Sequence, residues 1–238
     1  MKKQIIAVAA VAFAAGTVFF SSCKKEDTTA PVITISSGSS MNQSLPATAG
    51  AGTFTAPSAT ATDDEDGDLS SSITVDAASV NANLKGVYTV TYSVSDAAGN
   101  TASATLTVNI VNDAEFLVGT WSVEDSLYNP LPPFVSNYTE TITSDNGVNN
   151  KIWVTKFGNY VNGTYAMIAT STTISLPTPA PTVNCGNPAN DRQFTNTFPG
   201  GGTITGTGAA GTTMVLDYKE TVLSPASTAN AIATYVKQ

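Results

Sequence analysis

The fold of this chain is decided by residues 86–111, which read GVYTVTYSVSDAAGNTASATLTVNIV. Apolar and polar side chains alternate over residues 87–95 and again over residues 101–111, and a period of two residues indicates strands with one buried face. The five residues between the two runs include a glycine and an asparagine, which accept the positive φ that a tight loop requires. The stretch therefore predicts an antiparallel β-hairpin.

Composition and length extend this prediction to an all-β protein with two domains. Hydrophobic residues make up 42% of the 238-residue chain and charged residues 12%, which excludes a disordered polyelectrolyte. Further strand-like runs, separated by clusters of Gly, Pro, Asn and Asp, recur on both sides of the hairpin. The chain is too long for one immunoglobulin-sized sandwich of about 100 residues and suits two modest domains.

Four motifs in and around the hairpin carry a family resemblance. They are DTTAPVI at 27–33, ATDDEDGDL at 61–69, GVYTVTY at 86–92 and SDAAGNTA at 95–102. In this order they resemble the bacterial Ig-like domain found in some crystal toxins and in many surface proteins. The resemblance implies a seven-stranded Greek-key sandwich over residues 31–113, serving as a spacer or adhesion module without catalysis.

Residues 114–238 change character. About eight or nine short strand-like runs without a helical period predict a small closed antiparallel barrel, with a second sandwich as the structural alternative. Between the first and the last predicted strand, the strand-like runs are 138–143, 151–157, 165–170, 172–176, 193–198, 203–207 and 214–220. The Gly119-Thr120-Trp121 motif resembles the opening of a lipocalin-like barrel. That resemblance implies an indole that plugs the closed end of the barrel against a basic residue of the last strand, here Lys237.

The N-terminus has the pattern of a bacterial export signal. Two lysines follow the first methionine, an apolar stretch runs over residues 5–20, and small residues precede Cys23. The stretch is shorter than the about 20 residues of a transmembrane helix. Phe20-Ser21-Ser22-Cys23 resembles a lipoprotein signal, which implies that residues 1–22 are removed and that Cys23 carries acyl chains such as palmitate.

Residues 23–30 are predicted to form a tether behind the lipid. The sequence Lys24-Lys25-Glu26-Asp27 resembles the surface-export tag of Bacteroidetes lipoproteins. The resemblance implies an outer-membrane protein exposed at the cell surface. The alternative is a solvated charged tether without an address function.

Several functional classes are excluded by residue content. The chain has no His, which removes His-based triads, His general bases and His-liganded zinc. Ten Lys and Arg against eighteen Asp and Glu give a net charge of −8, so no basic surface is available for nucleic-acid phosphates. We expect no catalytic residues, no nucleic-acid partner and no organic cofactor.

Residues 63–68 contain five acidic side chains in six positions. A hard cation that takes six to eight oxygen ligands relieves such repulsion, and Asp64, Asp66 and Asp68 are the candidate calcium ligands. The spacing is not that of an EF-hand, because the glutamate of the twelfth loop position is missing. The alternative is a solvated loop whose Asp side chains cap turns.

Most aromatic residues of the second domain are expected to fill its core, although some could stack on a sugar or line a lipocalin-like cup. The proline-rich loops 129–137 and 177–191 are stiff and carry apolar residues, which lowers the entropic cost of binding. The candidate ligand contacts are Leu131, Phe134, Trp153 and Tyr160.

These features predict a monomeric, non-catalytic cell-envelope lipoprotein that is held at the membrane through Cys23. It displays residues 114–238 on an Ig-like spacer, and it binds a glycan or a small apolar ligand. One alternative is a purely structural or adhesion protein. Another is a glycan-active enzyme, for which the pairs Glu124–Asp125 and Asp217/Glu220 offer carboxylates outside any recognisable motif.

Overall fold

The computed structural model describes residues 26–129, 133–160, 162–185, 191–197, 201–223 and 226–238. The predicted signal segment, Cys23 and Leu131 lie outside these ranges. The described residues are almost all β, with short 3₁₀ helices as their helical elements. None of the helices in these ranges has the length and apolar character needed to cross a bilayer.

The N-terminal module is a two-sheet sandwich, as the sequence predicts. One sheet contains β1 (Val32–Ile35), β3 (Ala59–Asp63) and β4 (Gly67–Asp68), and the other contains β2 (Ser40–Ser44), β5 (Thr74–Asp76), β6 (Gly86–Ser95) and β7 (Thr101–Val111). The order of the second sheet is β2-β7-β6-β5, with β2 parallel to β7. The predicted hairpin is confirmed as β6 and β7, which pair antiparallel from Gly86 opposite Ile110 to Ser95 opposite Thr101.

The alternation of residues in the hairpin builds the core of this module. Val90 and Tyr92 of β6 face inward with Leu106 and Val108 of β7, and all four are fully buried. The Tyr92 hydroxyl donates a hydrogen bond of 2.8 Å to the backbone oxygen of Pro57, which satisfies its one polar atom. Burial of these side chains provides most of the stabilisation, at roughly 1.5–3 kcal/mol for each large side chain.

The C-terminal module is a closed antiparallel barrel, which settles the choice between barrel and sandwich. Its strands are β8 (Gly119–Asn129), β9 (Phe134–Ser144), β10 (Lys151–Val154), β11 (Thr164–Thr170), β12 (Thr173–Ser175), β13 (Thr182–Val183), β14 (Arg192–Asn196), β15 (Gly202–Thr205), β16 (Thr213–Val222) and β17 (Ser227–Lys237). The last strand, β17, pairs with both β16 and β8 and closes the sheet on itself.

Two positions in the barrel wall are occupied by interrupted strands. Both β14 and β15 pair with β16, opposite its second and first halves, while β17 occupies the other edge of β16. In the same way β12 pairs with β15 and β13 pairs with β14. Within the described residues the wall therefore has eight strand positions in up-and-down order, and two of these positions are each shared by two short strands.

Aromatic side chains fill the barrel. Trp121 and Tyr235 lie near one end with ring centroids 6.4 Å apart, and both are fully buried. Phe157, from a short 3₁₀ helix (Phe157–Asn159) between β10 and β11, packs against Phe194 and Tyr218 with centroids 4.8 Å and 4.9 Å away. The interior is thus a packed core in which the side chains of the chain itself occupy the centre.

The predicted plug at the closed end is confirmed. Trp121 donates its indole N–H to the backbone oxygen of Leu117 at 3.0 Å, and the ammonium of Lys237 lies 5.9 Å from the centre of the Trp121 ring. Lys237 also donates to the backbone oxygen of Phe116 at 2.7 Å. Closure of the barrel brings these residues together from the first and last strands.

The two modules meet at a hydrogen-bonded joint. Asn112, which follows β7, is buried and caps the 3₁₀ helix Asp113–Leu117, because its Oδ1 accepts from the backbone N–H of Ala114. Its Nδ2 also donates to three carbonyls of the loop between β9 and β10. These are the carbonyls of Asp145, Val148 and Lys151, at 3.0 Å, 3.1 Å and 3.0 Å.

Candidate ligand-binding cleft at the domain junction

A cleft of about 580 Å³ lies beside this joint, and both modules line it. The Ig-like module contributes Lys85, and the connecting segment contributes Glu115 and Val118. The barrel contributes residues 143–147 and Trp153. Ligand sites occur preferentially at such domain interfaces.

The polar floor of the cleft is a connected network. Ser144 donates its hydroxyl to Oε2 of Glu115 at 2.6 Å, and Lys85 Nζ lies 2.7 Å from the Ser144 hydroxyl and 3.0 Å from the same carboxylate oxygen. Burial alone would raise the pKa of Glu115, but the hydrogen bonds from Ser144 and Lys85 hold it below its ordinary value. The network therefore presents a fixed carboxylate and a fixed ammonium group.

Trp153 forms an aromatic wall of the cleft. The alternation of β10 turns Ile152 and Val154 into the core and leaves Trp153 outward, with 42% of its surface exposed. Its indole N–H donates to Oδ2 of Asp145 at 2.9 Å, and the ammonium of Lys151 lies 4.3 Å from the ring centre. The indole is thus held in one orientation while much of it stays in contact with solvent.

Asp145 links this aromatic wall to the joint. It receives hydrogen bonds from the backbone N–H groups of Gly147 and Val148, both at 2.9 Å, and forms an ion pair with Lys151 at 3.2 Å. Burial would raise its pKa, but these donors together with Trp153 hold that pKa below its ordinary value. An ionised acceptor thus stands beside the exposed indole.

The structure separates the predicted ligand contacts. Trp153 lies at the joint, whereas Phe134 begins β9 at the other end of the barrel and is 64% exposed. Tyr160 lies at that same far end, where it is half-buried and donates to Oε1 of Glu220 at 2.7 Å. Leu131 falls outside the described residues. Trp153 alone of the described candidates belongs to the junction cleft.

The acidic loop is arranged differently from the predicted calcium set. Asp66 accepts the backbone N–H of Ala97 at 2.7 Å, and Asp68 accepts that of Ser70 at 2.9 Å. Asp64 instead lies with Asp27 and Asp63, and one carboxylate oxygen from each falls within 4.8 Å of the others. Calcium binding by Asp64, Asp66 and Asp68 stays a prediction.

The carboxylate pairs considered for catalysis do not share a face. Glu124 is exposed and Asp125 is buried, because consecutive residues of β8 point to opposite sides of the barrel wall. Asp217 and Glu220 are separated in the same way on β16, where Glu220 faces the interior.

Sequence reasoning missed Lys85, Glu115 and Ser144. Lys85 is 30 residues from Glu115 and 59 residues from Ser144. No local motif connects these positions. Asn146 and Gly147 are residue types that form turns, but only the packing of the two modules makes them part of a cleft.

A second groove, of about 720 Å³, runs along the outer face of β8, β9 and β17. Its lining includes Ser122, Asn137 and Thr139, together with Thr234 and Val236. It involves one module only and lacks an exposed indole, so the junction cleft is the stronger candidate.

The Ig-like module has a recognised relative. Residues 42–110 match the family model of the bacterial surface protein Ig-like domain. The matched segment runs from within β2 to near the end of β7 and contains the hairpin from which the fold was predicted. The match indicates a protein associated with the bacterial cell envelope or surface.

No curated protein matches the chain. Among solved structures, a lipoprotein of Bacteroides thetaiotaomicron is 15% identical, with a TM-score of 0.33 over 87% of this chain and 100% of the other. Clostridium perfringens ZmpB, solved as CBM51-2 in complex with GlcNAc and INT domains, is 16% identical, with a TM-score of 0.28 over 87% and 44%. A Nostoc punctiforme protein of unknown function from the DUF3598 family is 13% identical, with a TM-score of 0.27 over 70% and 65%.

Proposed function

We propose that this protein is a non-catalytic lipoprotein of the outer membrane, anchored through acyl chains on Cys23 and exposed at the cell surface, which binds a glycan in the junction cleft. The observation that carries the binding proposal is Trp153, a half-exposed indole held beside a network of fixed charges. The surface Ig-like module supports the location, and the signal pattern before Cys23 supports the anchor.

A glycan suits this cleft better than an apolar ligand. Sugars present C–H faces that pack on an indole and hydroxyls that hydrogen-bond with charged groups. Asp145, Glu115 and Lys85 supply acceptors and a donor around Trp153. The barrel interior, where a small apolar ligand would be expected, is filled by aromatic side chains.

The test is a glycan screen on residues 26–238, followed by titration of each hit with tryptophan fluorescence as the readout. Of the two tryptophans, Trp153 is exposed and Trp121 is fully buried. A ligand in the cleft should therefore change the fluorescence of Trp153 alone. Trp153→Ala should weaken binding by about tenfold or more, the loss typical of a central aromatic contact.

Phe134→Ala is the matched control, because it removes another exposed aromatic ring at the opposite end of the barrel. Equal losses for the two variants would place binding outside the cleft. A screen without any hit would remove the glycan proposal.

A purely structural role is the second candidate, and the joint favours it. Asn112 and its partners fix the barrel on the Ig-like module, as a spacer that holds a terminal domain in one orientation requires. The same screen separates the two functions, because a structural protein binds none of the glycans.

A further inference from the structure

The charged side chains around the junction cleft form two ion pairs within the protein. Lys85 Nζ lies 3.0 Å from Oε2 of Glu115. Lys151 Nζ lies 3.2 Å from Oδ2 of Asp145 and stands over the Trp153 ring, 4.3 Å from its centre. Lys85, Glu115 and Asp145 line the cleft, and the other described residues of its lining are uncharged. Because the two pairs cancel, the walls of the cleft carry no net charge.

The ion pair on the floor of the cleft leaves one acceptor and one donor open. Oε2 of Glu115 accepts from Ser144 at 2.6 Å and from Lys85. Oε1 of Glu115 accepts no hydrogen bond within the part of the chain that the structure describes, and 52% of this side chain is exposed. Lys85 uses two of its three N–H groups, for Glu115 and for the Ser144 hydroxyl at 2.7 Å. A carboxylate oxygen and an N–H group thus face a ligand side by side.

We propose that the cleft selects a neutral sugar, and that Glu115 and Lys85 bind two adjacent hydroxyl groups of its ring. This inference rests on the proposed function, because it specifies the glycan of the same site. A hydroxyl can donate and accept at once, so one hydroxyl donates to Oε1 of Glu115 while its neighbour accepts from Lys85 Nζ. Both bonds involve a charged partner and are therefore stronger than bonds between neutral groups. The C–H face of the same ring packs against the exposed part of the Trp153 indole.

An acidic sugar meets unfavourable charges in the same cleft. Its carboxylate comes near Glu115 and Asp145, and the lysine partners of these acids are already neutralised. Burial acts to raise the pKa values of both acids, but their hydrogen bonds hold these pKa values below the ordinary ones, so both stay ionised. Like charges repel more strongly near a protein surface than in bulk water. The net charge of −8 adds a repulsion that acts during approach.

The test compares neutral and acidic forms of the same oligosaccharides. The probes are the linear trisaccharides of glucose, of galactose and of mannose, each unmodified and with its hydroxymethyl groups oxidised to carboxylates. Binding to residues 26–238 is titrated at constant ionic strength, with tryptophan fluorescence as the readout. A neutral probe that binds should do so at least about tenfold more tightly than its acidic form.

Two substitutions separate the roles of the charges. Glu115→Gln leaves Lys85 without its acid, so binding of the acidic forms should improve and the preference for the neutral form should fall by about tenfold. Lys85→Gln removes the donor, so binding of the neutral form should weaken by about tenfold without any gain for the acidic form. The backbone bond from Lys85 to Asn146 is kept in this variant. Glu124→Gln is the matched control, because it removes the same charge from an exposed position of β8 outside the cleft and should leave the preference unchanged.

The outcomes distinguish this inference from the proposed function. Equal binding of a neutral probe and its acidic form overturns the selection for neutral sugars, while glycan binding itself stands. An unchanged preference in both Glu115→Gln and Lys85→Gln, with both variants folded by circular dichroism, overturns the role of the Glu115–Lys85 pair. Absence of binding by every probe also overturns this inference, and the proposed function fails with it only if the full glycan screen is empty.

Discussion

Trp121 is the largest fully buried side chain among the described residues of the barrel. It is fully buried, and its indole N–H is satisfied by Leu117. Trp121→Ala should lower the free energy of unfolding by about 3–5 kcal/mol, because it leaves a large cavity and an unpaired carbonyl. Urea denaturation followed by circular dichroism measures the loss.

Trp153→Ala provides the comparison, since this indole is 42% exposed. It should cost about 1 kcal/mol or less, as is usual for exposed positions. Comparable losses for the two tryptophans would contradict the assignment of Trp121 to the core and Trp153 to the cleft.

Asp125 and Glu140 should make the barrel less stable as the pH rises. Burial raises the pKa of Asp125 from 3.8 to about 6 and that of Glu140 from 4.5 to about 7. A group whose pKa is higher in the folded state stabilises the fold below its unfolded pKa, and this contribution is lost as the pH passes its folded pKa. The stability of the wild type should therefore fall from about pH 4 to about pH 7, between the unfolded and the folded pKa values, and level off above that range.

Glu140→Gln removes one of these titrations. Its free energy of unfolding relative to the wild type should increase from about pH 4.5 to about pH 7 and stay level above that, measured in urea at each pH. A constant difference between the two proteins across this range would show that Glu140 does not titrate there.

Individual side chains also show where sequence reasoning ends. The outward position of Trp153 follows from the alternation of β10, and the burial of Trp121 follows from the motif that contains it. The neighbours of Asp125 do not follow from sequence, because β9, β16 and β17 supply them from distant parts of the chain. Because closure of the barrel brings such acidic residues together from distant strands, no local sequence pattern predicts the cluster.

Among the strands, β17 is the one whose loss should open the barrel. It pairs along its length with β16 and β8, so its removal leaves two long unpaired edges. Deletion of residues 232–238 should prevent the C-terminal module from folding while the Ig-like module stays folded. NMR spectra of the truncated protein would show dispersed signals for residues 31–111 only, and a full set of barrel signals would contradict this prediction.

Most strands were predictable within a few residues, and the exceptions have physical causes. The predicted strand 138–143 extends over Phe134–Ser144 in the structure. Residues 134–137 were predicted as part of a proline-rich loop, but they pair with β8 and therefore adopt strand geometry. The division between β14 and β15 agrees with the separate predicted runs 193–198 and 203–207, whereas β13 lies in the segment 177–191 that was predicted as a loop. β13 forms because it pairs with β14, which itself pairs with the second half of β16, and such pairing across the sheet is not visible in the local sequence.

For the whole molecule, the first expectation concerns attachment. If Cys23 carries the lipid, Cys23→Ser should leave the protein unprocessed or soluble, since each buried methylene contributes about 0.8 kcal/mol to membrane binding. Fractionation of cells followed by immunoblotting measures this. A variant that is processed normally and stays with the membrane would contradict lipidation.

Surface exposure is a separate expectation. Protease added to intact cells should remove the wild-type protein, and replacement of Lys25, Glu26 and Asp27 by Ala should protect it. A periplasmic protein released by shock serves as the control for envelope integrity. Equal cleavage of both forms would leave the tag without a role.

The joint at Asn112 has a mechanical consequence. The cleft has its lysine on one module and its indole on the other, so it exists only while the modules stay closed. A pull that separates the two modules strains the contacts that hold Asn112 against the loop 145–151. Once they part, the two walls of the cleft separate together. The lifetime of the cleft under tension is therefore set by a small group of hydrogen bonds, those of Asn112 together with the backbone bonds from Lys85 to Asn146 and from Asn149 to Pro46.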